Sequence, residues 1–159
     1  MRIKGTEGVK LIECINPQKN KWVIRWDVQP ETEGGVSYYE YVFLKRPTLS
    51  EIKDIIINWI NDSIKVEIMG GYVWREKPVW LSPENQLNYQ ADYLQAITTS
   101  GNSLPVKCKF GADEEPIFFT FESLEDITDF YNSYVTYIRE VQNKGWDLKK
   151  NFDFSPYDV

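Results

Sequence analysis

Apolar residues in this chain change their spacing several times, from every second residue to helical intervals and back, and that switching limits the fold more than any other feature of the sequence. From Lys21 to Val28 the period is two, with Trp22, Ile24, Trp26 and Val28 on one face and Lys21, Val23, Arg25 and Asp27 on the other, as in a half-solvated antiparallel strand. Before it, Val9, Leu11 and Ile15 alternate with Lys10, Ile12 and Cys14 up to the Asn16-Pro17 turn signal. After Pro30 and Gly34-Gly35, a third run extends from Val36 to Leu44. Three consecutive strands on short turns predict an antiparallel β-meander. In the third run Val36, Tyr38, Val42 and Leu44 share one face and Tyr39, Tyr41 and Phe43 the other, so neither face is polar.

Helical spacing takes over at Thr48. Thr48 and Glu51 have the capping-box separation, and Leu49, Ile52, Ile56, Trp59 and Ile60 follow at helical intervals, which predicts a helix over 48–62 with its exit at Asn61-Asp62-Ser63. Ile64, Val66 and Ile68 then read as a return to strand, ending at Met69-Gly70-Gly71. Tyr72-Val73-Trp74 and Val79-Trp80-Leu81 flank residues 75–78 as a hairpin, with Pro78 placing the second strand at an edge. Ser82 as N-cap and Pro83 at the first helical position open the next helix. Its main apolar stripe is Leu87, Ala91, Leu94 and Ile97, a second stripe is Tyr89, Tyr93 and Ala96, and Gly101-Asn102 ends it. Residues 104–110 and 116–121 form a second hairpin around the turn at 111–115. Ser123, with Glu125 and Asp126 in the first turn, starts a last helix carrying Ile127, Tyr131, Tyr134, Ile138 and Val141 as far as Gly145. The expected fold class is α+β. An antiparallel β-meander plus helix occupies residues 1–67, a β-hairpin/helix/β-hairpin/helix unit 68–145, and an aromatic tail 146–159.

Composition removes several function classes. The 159 residues hold 18 Lys+Arg against 24 Asp+Glu, a net charge of −6, without the basic footprint of a nucleic-acid binder. With no histidine at all, Ser-His and Cys-His nucleophile pairs and histidine metal sites are excluded. Cys14 and Cys108 make no disulfide framework and have no adjacent activator, so both read as small buried hydrophobes on strands. No apolar stretch approaches the roughly 18 residues needed to span a bilayer, and residues 1–20 lack the pattern of a cleaved leader. A soluble, unprocessed protein without membrane insertion is expected. Asp113, Glu114 and Glu115 lie in a turn without calcium-loop spacing, and Glu122, Glu125, Asp126 and Asp129 read as carboxylates at a helix start. Gly70-Gly71 lacks the residues of a phosphate loop and reads as a turn or bulge. No metal or cofactor is expected.

What remains is the aromatic content, 15% of the chain. Tyr39, Tyr41 and Phe43 either lie sandwiched between two layers or form an exposed contact ladder. Trp74 and Trp80 either pack their hairpin or offer rings for contact, stacking on a carbohydrate included. Trp146, Phe152, Phe154 and Tyr157 make the tail too aromatic for an ordinary disordered end, so it packs on its own domain or on a neighbour.

Gly71-Tyr-Val-Trp74, Pro78-Val-Trp-Leu-Ser82, the helix bearing Glu84, Asn85, Gln86, Asn88 and Tyr89, Lys109-Phe-Gly-Ala-Asp-Glu-Glu-Pro116, and Thr120-Phe-Glu-Ser-Leu-Glu125 running into Asp129-Phe-Tyr131 together resemble a domain of unknown function. That domain is found in tail-fibre-associated proteins of tailed bacteriophages and of prophages in gut bacteria. The segment from Val36 to Ile68 is similar to the region that often precedes it. These motifs consist of turn, cap and core residues, and the family offers no established active site to carry over. The resemblance implies a non-enzymatic structural or adaptor protein near the fibres or baseplate, in the virion tail or in the host cytoplasm during assembly, present in multiple copies in a symmetric arrangement and bound to other phage tail proteins. The expected contact residues are Tyr39, Tyr41, Phe43, Trp74, Trp80, Trp146, Phe152, Phe154 and Tyr157. A tail-fibre assembly helper that leaves the particle, a carbohydrate-binding module built on Trp74 and Trp80, and a small hydrolase with converging carboxylates are the alternatives.

Overall fold

The computed structural model of the chain describes residues 2–32, 34–112 and 114–158. It is α+β, in the order β1 (Ile3–Gly5), β2 (Ile12–Asn16), β3 (Lys21–Pro30), β4 (Val36–Phe43), α1 (Leu49–Gly70), β5 (Tyr72–Trp74), β6 (Lys77–Val79), α2 (Pro83–Thr98), β7 (Val106–Lys109), β8 (Phe118–Phe121) and α3 (Leu124–Asn151). Two compact units emerge, Met1–Ile60 together with Lys149–Val159, and Asn61–Leu148. The division therefore falls inside α1, where 67/68 was expected, and Lys149–Val159, expected in a separate tail, belongs with the meander.

In the first unit β2, β3 and β4 form the antiparallel meander, and β1, too short to show in the periodicity, adds a strand outside β4 to give the order β1-β4-β3-β2. Trp22, Ile24 and Trp26 stand opposite Phe43, Tyr41 and Tyr39, so these six side chains share one face of the sheet. Ile24 and Trp26 are buried, as are Ile52, Ile56 and Ile60 along one stripe of α1. Trp59 brings its ring to 6.1 Å from Trp26 and 5.2 Å from Tyr39. The register slips between Trp26 and Gln29, with Asp27 at φ +52°. This bulge interrupts the alternation expected through Val28. Arg2 braces it, its guanidinium donating to the Asp27 carboxylate, to Asp27 O at 2.6 Å and to Ser37 O at 2.9 Å.

The capping box forms as its spacing predicts. Glu51 N–H donates to Thr48 Oγ1 at 3.3 Å and Thr48 N–H to Glu51 Oε2 at 2.8 Å. The helix does not leave at Asn61-Asp62-Ser63 but runs on to Gly70, because that triplet holds neither Gly nor Pro and nothing interrupts the backbone ladder. Ile56, Ile60, Ile64 and Ile68 continue in steps of four, and the apparent strand of Ile64, Val66 and Ile68 is this helical stripe plus an outward Val66, 66% exposed. Gly145, expected as a terminator, lies inside α3. A Cβ there would come within 2.1 Å of Ile64 Cδ1, so this glycine serves the close approach of α1 and α3.

The second unit packs the β5-β6 and β7-β8 hairpins with α2 and α3 around a ring-rich core that includes Trp74, Tyr89, Phe110, Phe121, Phe130 and Tyr134. The β5-β6 turn consists of Arg75 and Glu76, at φ +46° and +66°, a conformation ordinarily given to Asn-Gly pairs. Ion pairs from Arg75 to Asp126 at 2.7 Å and Asp129 at 3.1 Å hold it in place. Among the described residues no helix is long and apolar enough to cross a membrane.

Candidate functional site

One helix of the second unit, α2, leaves several large apolar side chains in a row at the surface. Ser82 Oγ accepts from Asn85 N–H at 3.2 Å, and Pro83 occupies the first turn, so the helix starts where the cap predicts. Its rotation differs from expectation. The inward face carries Asn85, Tyr89 and Ala96, all buried. The intended main stripe looks outward, with Leu87 at 66%, Leu94 at 56% and Ile97 at 40% exposed and Ala91 exposed beside them. Hydrogen bonds fix this choice. Asn85 Nδ2 donates to Trp80 O at 2.8 Å, Gln86 Nε2 to Leu81 O at 2.7 Å, and Tyr89 Oη to Lys109 O. Buried polar groups must find partners, and these partners exist on one side of α2 only.

Beside the stripe, Pro83, Leu87 and Gln90 face Tyr131, Val135 and Ile138 of α3 across a groove of about 430 Å³, with Arg139 and Gln142 at its rim. Tyr93 stacks on Tyr131 at 4.0 Å with the rings 11° from parallel. The outward face is flanked by Gln86, Asn88, Gln90 and Gln95, and α2 contains no Lys or Arg. A solvated helix face ordinarily carries charges of both signs; here Glu84 is the exposed charge of α2, Arg139 of α3 stands at the groove, and the rest of the border is amide, a composition that suits a protein contact.

The expected contact residues are divided by the fold. Tyr39 is half-buried, stacked on Trp26 at 6.0 Å and covered by the Arg2 guanidinium at 5.1 Å. Phe43 is half-buried against Tyr41 at 4.9 Å. Tyr41 alone of that ladder is open, at 45%. Trp74 is 3% exposed, enclosed by Phe119, Phe121 and Phe130 at 5.3 to 5.6 Å, with its indole N–H donating to Asp129 at 3.0 Å. It is a core residue, and no two-ring platform forms with Trp80, which is 36% exposed. Trp146 is 56% exposed. Phe152 and Phe154 are half-buried, and Tyr157, which is buried, donates to Arg25 O at 2.7 Å while Lys53 lies 5.5 Å from the Phe154 ring centre. The tail thus packs on its own unit, and Tyr157 offers no ring to a partner.

A second cavity of about 360 Å³ is lined in part by Asn85, Asn88, Asp92, Lys107, Cys108 and Phe118. Burial pushes the Cys108 thiol well above the usual thiol range, and the Asp92 carboxylate at 3.3 Å, which accepts its S–H, reinforces this. Cys108 is held as a neutral thiol. Cys14 is half-buried. Asp113 lies outside the described residues, Glu114 and Glu115 are exposed, and the Asp126 carboxylate accepts from Arg75 while its backbone N–H donates to the cap Ser123 Oγ at 3.1 Å.

Leu87, Leu94 and Ile97 were visible in the sequence as the main apolar stripe of this helix, with no indication that it turns outward. The signal that separates the two stripes is the amide-rich flank of the outward one and the lack of Lys and Arg along α2. No family model matches the chain, and neither a curated protein nor a solved structure shows significant similarity to it.

Proposed function

We propose that this chain is a non-enzymatic structural or adaptor protein of a bacteriophage tail, working through protein–protein contacts near the fibres or baseplate, with the outward stripe of α2 as a docking surface. The observation that carries the contact role is the run of Leu87, Ala91, Leu94 and Ile97 held at the surface by hydrogen bonds on the opposite face of the same helix. The resemblance of residues 69–131 to tail-fibre-associated domains supplies the setting. An acidic chain without histidine is compatible with such work, since gripping a partner needs shape and apolar area and no titrating group near neutrality.

A photo-crosslinking side chain at Leu94, introduced in cells producing the phage that encodes this chain, tests the reading. The expected result is a crosslink to another tail protein, recovered from purified particles by mass spectrometry. Absence of the chain from particles, with the crosslink present in the infected cell, identifies an assembly helper and overturns the virion assignment. Absence of any crosslink from Leu94 overturns the docking surface.

A further inference from the structure

The sheet of the first unit ends unevenly. β1 lines β4 only opposite Val36, Ser37 and Tyr38, while β3 accompanies β4 as far as Phe43. Among the described residues no strand lies outside Glu40–Phe43. Which backbone groups look outward follows from one bond: Arg25 N–H donates to Leu11 O, on the β2 side, at 2.8 Å. Strand residues alternate the direction of their amides, so Ile24 and Trp26 turn theirs to β4. Their register partners Tyr41 and Tyr39 answer toward β3. Glu40 and Val42 therefore direct N–H and C=O away from the sheet.

Such an edge is a template for another strand, and proteins ordinarily guard it with lysine, proline, a bulge or cover. Here the bulge at Asp27 lies where β1 already flanks β4. The open stretch instead carries apolar side chains, with Tyr41 at 45%, Val42 at 37% and Leu44 at 81% exposed.

The charges along the segment indicate the occupant. Glu40 stands at one end, where it and Glu13 share Arg25 and leave an excess negative charge, and Lys45 and Arg46 follow Leu44 at the other, where Glu51 pairs with Lys45 and leaves an excess positive one. An antiparallel copy of the same segment, centred on Phe43, brings the basic end of one protomer to the acidic end of its partner and sets Val42 of each against Leu44 of the other. A parallel copy sets like charges side by side. One patch meeting itself about a two-fold axis is the commonest way for a soluble chain to pair. We infer that the outer edge of β4 at Glu40–Leu44 binds a second copy of this chain by antiparallel strand addition, joining two sheets into one. This pairing is independent of the α2 surface and leaves it open.

Sedimentation equilibrium of the full chain over a concentration series into the high micromolar range is the test, read together with amide hydrogen exchange. The expected mass rises from 18.7 kDa toward twice that value. The Glu40 and Val42 amides gain protection with concentration, while the Tyr41 amide, bonded to β3, is protected throughout. Val42→Pro removes an outward N–H at a position where an edge strand tolerates proline, and weakens association by about tenfold or more. Val42→Lys keeps the amide, adds an edge charge, and weakens it as well. Leu94→Glu leaves it unchanged. A chain that stays at 18.7 kDa throughout, or a dimer dissolved by Leu94→Glu and indifferent to both Val42 variants, overturns the inference. The first outcome leaves the Leu94 crosslink to a tail protein untouched, and the second predicts a Leu94 crosslink between two copies of this chain instead.

Discussion

Replacing Gly145 by alanine sets two effects of opposite sign against each other. In an unconstrained helix interior the change stabilises by about 1 kcal/mol, because glycine gives up more backbone freedom on folding. At this position the new Cβ would lie 2.1 Å from Ile64 Cδ1 and 2.4 Å from Ile64 Cγ1, against roughly 3.5–4.0 Å for ordinary carbon contacts. A gap of that size is closed only by displacing α1 from α3 or by forcing Ile64 off its rotamer, and overpacking of this kind costs about 1–3 kcal/mol. With two atoms in conflict, one of them the inner Cγ1, the upper part of that range applies and the net expectation is a destabilisation of about 1–2 kcal/mol. Ile64→Ala removes both offending atoms. On that background Gly145→Ala should stabilise by about 1 kcal/mol, giving a coupling of roughly 2–3 kcal/mol between the two sites. Urea unfolding followed by far-UV circular dichroism measures all four corners of the cycle. A Gly145→Ala protein more stable than the parent, or the same shift in both backgrounds, refutes the close approach and with it the helical course of α1 through Ile64.

Two further expectations concern the first unit. The Lys45 ammonium, followed by the Thr48 backbone and hydroxyl, holds the Glu51 carboxyl down at about 2. A depressed carboxylate contributes stability above its unfolded value that is lost as pH falls through the folded one, so acid unfolding should steepen between the ordinary glutamate range and about pH 2, and Glu51→Gln should flatten that part of a stability-versus-pH curve. Tyr157→Phe deletes the bond to Arg25 O and should cost about 1 kcal/mol in the same urea assay, through an acceptor left without its partner; a neutral result separates the tail from the stability of the sheet.

Features set by neighbours along the chain were legible in the sequence. The meander, both hairpins and the caps at Thr48, Ser82 and Ser123 each depend on residues a few positions apart, and each appears in the structure. The departures share a different cause. The β1 strand is three residues long and is fixed by Arg2 reaching Asp27 and Ser37, 25 and 35 positions away. The strand read at Ile64–Ile68 arose because a helical step of four is also two strand steps of two, and only the absence of a breaker at 61–63 could have decided between them. Gly145 bears on α1 across some eighty residues of chain, a contact that no local rule can see.

The rotation of α2 escaped the sequence for a reason that belongs to amphipathic helices generally. Periodicity determines which residues share a face and leaves open which face turns inward. α2 has two apolar stripes and so two burial solutions. Burying Leu87, Leu94 and Ile97 would recover roughly 1.5–3 kcal/mol for each side chain fully enclosed. It would also pull Asn85 and Tyr89 away from the carbonyls of Trp80 and Lys109, leaving those oxygens unpaired at about 1–3 kcal/mol apiece, and would remove the Tyr89 ring from its contacts with Phe110 and Phe130 at 6.2 and 5.0 Å. The aromatic face wins because it supplies apolar area and hydrogen bonds together, whereas the aliphatic face supplies area alone. That leaves the aliphatic stripe with burial energy the chain does not realise by itself, and a partner that covers Leu87 and Leu94 recovers it without breaking a single bond in the core.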